Sequence, residues 1–283
     1  KDWVRGVNPK DFSYALGYDR NTHTGREPWR QPHLELYDAN DQRLDEYYVW
    51  DSKLVGTDKY RLVSDSSFKH LHFNDDGTLY AIGWSDGGNT VFERQPKNLD
   101  GQLDTNRGLG FSTWGAGVGS FCHLLHLDTV NDAVLAKTLW CGFLTGKESP
   151  SGAGIDTIGQ AADGSVVFAG GAAFGTIQTG HNLHDGAPGG PYVAVLSKDM
   201  GQLRFSSSVM AVGANTLRDT EHWGIASARF GKRNKVLLTS AAIAEQGCYE
   251  APTPAPSWRA AQKTFGGGVA DGWLLLLDLG PAK

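Results

Sequence analysis

The sequence predicts an all-β chain, a β-propeller of about four blades with four antiparallel strands in each. Three observations predict it. The composition is turn-rich and poor in helix formers, with 37 Gly, nine Trp, nine Tyr and twelve Phe among 283 residues, two Met and only 20% charged residues. Glycine is nearly twice its ordinary share, whereas a coiled coil or helical bundle would be rich in Ala, Glu, Lys and Leu, and a disordered chain does not carry this many aromatic rings. Tight polar turns separate short runs that have the two-residue alternation or β-branched content of strands. Those turns recur in a fixed order, at roughly 70 residues per unit, as in tandem-repeat folds.

Taken in chain order, the first unit holds DFSYALGY, then HLELY and LDEYYVW joined by a turn at Asp38 to Asp41. The residues from Trp3 to Val7 read as a strand that completes the last blade's sheet and ties the two chain ends together. In the second unit FKHLHF and LYAIGW flank Asn74-Asp75-Asp76-Gly77, and SFCHLLHL and AVLAKTLW flank Asp128 to Asp132. The third repeats this with DTIGQA and SVVFAGG about Asp163-Gly164, then YVAVL and LRFSSSVM about Ser197 to Gly201. The fourth has GIASARF and KVLLTSA about Gly231 to Asn234, and ends in GWLLLLDL. Naming the strands of each unit A, B, C and D, the order recurs, which is the signature of propeller blades. Residues 1–283 are thus expected to form a single propeller domain. A piece of a larger propeller and a β-sandwich are the alternatives.

The closing segment GGGVADGWLLLLDLG is similar to bacterial β-propeller repeats of the seven-bladed type. So is the succession of a DG turn, a small-residue strand ending in AGG, a long loop and YVAVLSKD. The likeness covers about Phe68 to Gly280 in pattern. It implies a propeller and carries no particular set of catalytic residues.

The net charge of -5 and the lack of any Lys/Arg run of five or more exclude a dedicated nucleic-acid binder, which needs a basic face to neutralise phosphates. The longest apolar run, Trp273 to Leu277, is too short to span a bilayer. The chain begins at Lys1 without Met, so an amino-terminal signal is expected to have been removed, with the chain the C-terminal part of a longer precursor that works in the periplasm or outside the cell. Three cysteines form no CxxC, CxxCH or Cys/His zinc spacing, and neither a metal nor a cofactor is expected. Cys122 and Cys141 lie symmetrically about the turn at Thr129 to Ala133 and are candidates for a cross-strand disulfide, with two buried thiols as the alternative; Cys248 is left over.

The connections are asymmetric. A–B and C–D turns are short, whereas the B–C connections (Asp19 to Pro32, Ser85 to Gly119, Ala172 to Gly190, Ala244 to Asp271) and the D–A connections are long. In an antiparallel blade these two sets leave at opposite ends, so the elaboration falls on one face, where binding residues tend to lie. That face collects His23, Trp29 and Arg30 from the first unit, Asp86, Arg107 and Trp114 from the second, His181, His184 and Asp185 from the third, and Tyr249 and Trp258 from the fourth. Aromatic residues with Arg make a recognition surface for protein or sugar rings; the competing reading is that they pack the loops onto the blades. The sequence reading is therefore a non-catalytic binding or scaffold propeller that engages a protein or glycan partner, as an accessory subunit of an extracytoplasmic assembly. Two alternatives are a carbohydrate-active lyase or hydrolase using His and Tyr of that face, and a quinone-cofactor dehydrogenase.

Overall fold

Alternating apolar residues give each strand one face to bury, and in the computed structural model these strands pair as antiparallel sheets. It describes residues 3–23, 28–49, 65–85, 90–103, 121–140, 142–143, 150–151, 155–172, 179, 190–208, 224–230, 233–243 and 270–281. β1 (Trp3–Val7), β2 (Tyr14–His23), β3 (Pro28–Tyr37) and β4 (Arg43–Tyr47) form a first sheet in that order. β5 (Ser66–Phe73) and β6 (Leu79–Ser85) follow, then a small hairpin of β7 (Arg94–Gln95) and β8 (Asn98–Gln102), then β9 (Phe121–Asp128) and β10 (Ala133–Trp140). The second sheet runs β10-β9-β6-β5. A short pair, β11 (Gly142–Phe143) and β12 (Pro150–Ser151), precedes a third sheet of β13 (Thr157–Gln160), β14 (Val166–Ala172), β15 (Gly190–Leu196) and β16 (Leu203–Ser208). The last sheet is β17 (Gly224–Phe230), β18 (Arg233–Ile243) and β19 (Ala270–Pro281). Every pairing is antiparallel, and no helix among the described residues is long and apolar enough to cross a membrane. The chain divides into two compact units, Lys1–Cys141 with Asp199–Gly201, and Gly142–Lys198 with Gln202–Lys283.

The expected A, B, C, D order therefore holds in three sheets, and as A, B, C in the last. One expectation is overturned. Trp3–Val7 does not complete the last sheet; it pairs with β2, Trp3 opposite Tyr18 and Val7 opposite Tyr14, as the A strand of the first sheet. The cause is a closed turn at Asn8 to Ser13, where the Asn8 N–H donates to the Ser13 carbonyl (2.8 Å) and the Asp11 carboxylate accepts from both the Ser13 N–H and hydroxyl. A second correction concerns Asp19 to Pro32, read as a loop. β2 and β3 stay paired as far as His23 and Pro28. Pro28 and Pro32 are tolerated because β4 stops at Tyr47, opposite Leu34, so that among the described residues that stretch of β3 has no ladder partner on its outer side.

The repeat is legible as turn chemistry. At the A–B turn of the second sheet the Asn74 N–H donates to the Thr78 carbonyl, Gly77 adopts φ +89°, and the Asp76 carboxylate accepts from the Thr78 N–H. In the third sheet Ala161, Ser165, Gly164 (φ +83°) and Asp163 do the same. The left-handed position selects glycine and the Asp closes an Asx-turn. At the C–D turns a left-handed residue recurs at Asp41, Asp132 and Met200.

The first unit's core lies between two sheets. Ala15, Leu34, Leu36 and Tyr47 from the inner face of the first meet Phe68, Leu71, Phe73, Leu79, Ala81, Leu125 and Leu127 of the second. Gly17 makes the close approach possible, since a Cβ there would stand 2.9 Å from Phe68 Cβ. Tyr48, Phe68 and Phe92 add three edge-to-face ring pairs with centroids 5.5 to 5.7 Å apart. In the third sheet the central strands are buried on both faces, Val166 to Ala169 and Tyr192 to Leu196, which is why SVVFA and YVAVL are almost continuously apolar.

Candidate functional site

The strands fix which end of each sheet carries the elaboration. His23 faces Pro28, Ser85 faces Phe121, Ala172 faces Gly190 and Ile243 faces Ala270, so every B–C connection leaves its sheet from the end opposite the short turns. Of the predicted recognition residues, His23 and Trp29 sit on the paired ends of β2 and β3, with side chains outside the described residues. Asp86, Arg107, Trp114, His181, His184, Asp185, Tyr249 and Trp258 also lie outside them. Arg30 is placed on β3. Its guanidinium holds the Asp65 carboxylate (Nη2 to Oδ2 2.9 Å), its own N–H donates to Asp65 Oδ1 (2.8 Å), and the Ser66 hydroxyl donates to its carbonyl. Arg30 thus ties β3 to Asp65 and to the start of β5. Cys122 is buried on β9 opposite Trp140, and Cys141 lies outside the described residues.

The second B–C connection shows how such a segment is anchored. Residues Val91–Glu93 form a single 3-10 turn, and Val91 and Phe92 are fully buried against the sheet. Phe92 lies over Gly83, where any Cβ would fall 2.4 Å from its ring. Beneath it the Ser85 hydroxyl and His123 Nε2 are 2.8 Å apart, the spacing of a nucleophile and its base. Both are almost wholly buried, and burial pushes the His123 pKa far down.

The outer face of the first sheet is different in kind. The even residues of β2 and the odd residues of β3 stand on it: Tyr14, Leu16 and Tyr18 opposite Tyr37, Glu35 and His33, with Trp3 and Arg5 beside them on β1. Trp3, Arg5, Tyr14, Leu16, Tyr18, Glu35 and Asp41 line a pocket of about 340 Å³. Tyr14 stacks on Tyr37 with centroids 5.0 Å apart, the Arg5 guanidinium lies 4.1 Å over the Tyr14 ring, and the Tyr14 hydroxyl donates to Asp41 (2.7 Å).

At the far side of this face His33, Glu35 and Glu46 converge. Their ligand-type atoms all lie within 4.8 Å of one another, with His33 Nε2 3.4 Å from Glu35 Oε1 and 3.8 Å from Glu46 Oε2. His33 is 1% exposed and packs its ring against Tyr18. The Tyr37 hydroxyl donates to the other Glu35 oxygen (2.8 Å), and Arg43 reaches Glu46 at 3.2 Å and Glu35 at 3.6 Å. Burial, and then the charge of Arg20, keep the imidazole pKa below its ordinary value. Burial alone would raise Glu35, but the Tyr37 hydroxyl, the imidazole and Tyr18 more than offset it and hold the carboxyl below its usual range. Burial and the Glu35 charge push Tyr18 up to about 12.

This cluster is absent from the sequence reading, which searched for recognised spacings. The signal was the polar half of the alternation in HLELY, where His33 and Glu35 bracket the buried Leu34; Glu46 joins only through the β3–β4 register, opposite Glu35. No protein-family model matches this chain, and no curated protein matches it.

Proposed function

We propose that the chain is a non-catalytic binding module of the β-propeller class, each four-stranded sheet being one blade, and that it engages a protein or glycan partner with the end from which the long connections leave. The observation that carries this reading is the asymmetry within each sheet: turns closed by their own hydrogen bonds at one end, and all the extended connections at the other. The repeated turn chemistry and the likeness to bacterial propeller repeats support the blade assignment. In a closed ring a blade's flat faces pack on neighbouring blades, so recognition belongs to the connections rather than to the Trp3–Tyr18 pocket. The reading places the module outside the cytoplasm, as an accessory subunit of a larger assembly. Affinity capture from native extracts with mass spectrometry, beside a glycan array, tests it: a partner or glycan retained at stoichiometric level is expected, and a chain that retains neither would overturn it.

A further inference from the structure

We infer that His33, Glu35 and Glu46 form a binding site for a divalent cation of the zinc class, at the outer edge of the first sheet. The argument starts from distances. In a tetrahedral zinc site with bonds of about 2.1 Å, neighbouring ligand atoms stand about 3.4 Å apart. His33 Nε2 stands 3.4 Å from one carboxylate oxygen and 3.8 Å from the other, longer than a good hydrogen bond and close to that ligand spacing. An imidazole with two carboxylates is a borderline nitrogen and oxygen set, which suits zinc rather than calcium.

His33 is almost fully buried, and its Nε2 is the ring nitrogen that faces both carboxylates. Two residues along the same face of β3, Gln31 is 5% exposed and neither of its amide atoms has a partner among the described residues. Buried polar groups are nearly always satisfied, so this stretch of the β3 face has unmet polar capacity next to the cluster. The ligands are also held for the task. Tyr37 fixes the outer oxygen of Glu35, which leaves Oε1 turned to the imidazole, and β3–β4 pairing sets Glu46 opposite Glu35.

Arg43 occupies the electrostatic role a cation would take, bridging both carboxylates from a side chain 54% exposed. A guanidinium on a flexible, exposed stem withdraws at little cost, and it leaves three protein ligands with a fourth position open to water. β4 is the edge strand of its sheet among the described residues, and Arg43 and Glu46 on it are partly exposed, so the site opens at the blade's outer edge rather than through its packed face.

Isothermal titration of the whole chain with Zn²⁺ and, separately, Ca²⁺ tests the inference. One Zn²⁺ per chain is expected, with at least tenfold weaker binding in Glu46→Gln, a partly exposed position where folding is not at stake. Arg43→Gln, which removes the competing cation, is expected to tighten binding several-fold, and Co²⁺ is expected to give a visible ligand-field absorbance that Glu46→Gln loses. No Zn²⁺ binding, a preference for Ca²⁺, or Zn²⁺ affinity unchanged by Glu46→Gln would each overturn it. Partner capture is a separate readout, so failure here leaves the binding-module reading standing, and the reverse.

Discussion

The two faces of the first sheet are made by the same strands, one residue out of phase, and they do opposite things. Inward, Ala15, Gly17, Leu34, Leu36 and Tyr47 are small or apolar and pack against Phe68 and Leu71. Outward stand Tyr14, Tyr18, His33, Glu35 and Glu46, all of them polar or titratable. Strand alternation therefore separates an apolar face from a polar one, with Leu34 between His33 and Glu35 as the sharpest case. If that division is right, substitutions in the inner core cost folding free energy, and those at partly exposed outer positions such as Glu46 cost little.

The largest effect is expected at Phe92, which joins the inner core from a loop. Phe92→Ala leaves a cavity beside Tyr48 and Phe68 and is expected to lower unfolding free energy by about 3–5 kcal/mol, read from urea denaturation. Gly83→Ala attacks the same contact from beneath, forcing a methyl into the Phe92 ring, and should cost about 1–3 kcal/mol in the same assay.

Acid should weaken the first unit next. Burial pushes His70 down to about 4 and lowers His72 as well. Because the unfolded chain binds these protons more readily, stability is full above the ordinary histidine pKa of about 6.5 and is lost as pH falls from there toward 4. Urea midpoints measured across that window should drop steeply, and His70→Gln should flatten the slope; a midpoint independent of pH there would refute the assignment.

A smaller effect belongs to the third sheet. Burial would raise Asp163, yet hydrogen bonds from Arg204 and Ser165 hold it at about 2, so its contribution is present above the usual carboxylate range and disappears only as pH approaches 2. Because Arg204 is well exposed, Asp163→Asn should cost only about 1 kcal/mol at neutral pH by thermal unfolding. Smallest of all, Glu46→Gln on the outer face should shift stability by under about 0.5 kcal/mol, while removing the cation affinity proposed above.

The strands and their order were legible in the sequence because tight turns need particular residues. Asp76-Gly77 and Asp163-Gly164 supply an Asx acceptor and a left-handed position, and such chemistry is local. The turn at Asn8 to Ser13 uses Phe12 at φ +61° instead of glycine, which hid the hairpin and sent Trp3–Val7 to the wrong sheet. The B–C hairpin beyond Asp19 was hidden by Pro28 and Pro32, ordinary loop markers made compatible with a strand by the early end of β4. The His33–Glu35–Glu46 cluster was illegible for a different reason: Glu46 meets His33 through strand register, a non-local fact that no spacing in the chain encodes.

Hydrogen exchange of the whole chain, with and without the partner or glycan that affinity capture retains, tests the central claim most directly. The account predicts slowed exchange in the connections at 24–27, 86–120, 173–189 and 244–269, with the amides of 38–42, 74–78, 129–132 and 161–165 unchanged. Protection confined to those short turns would contradict it.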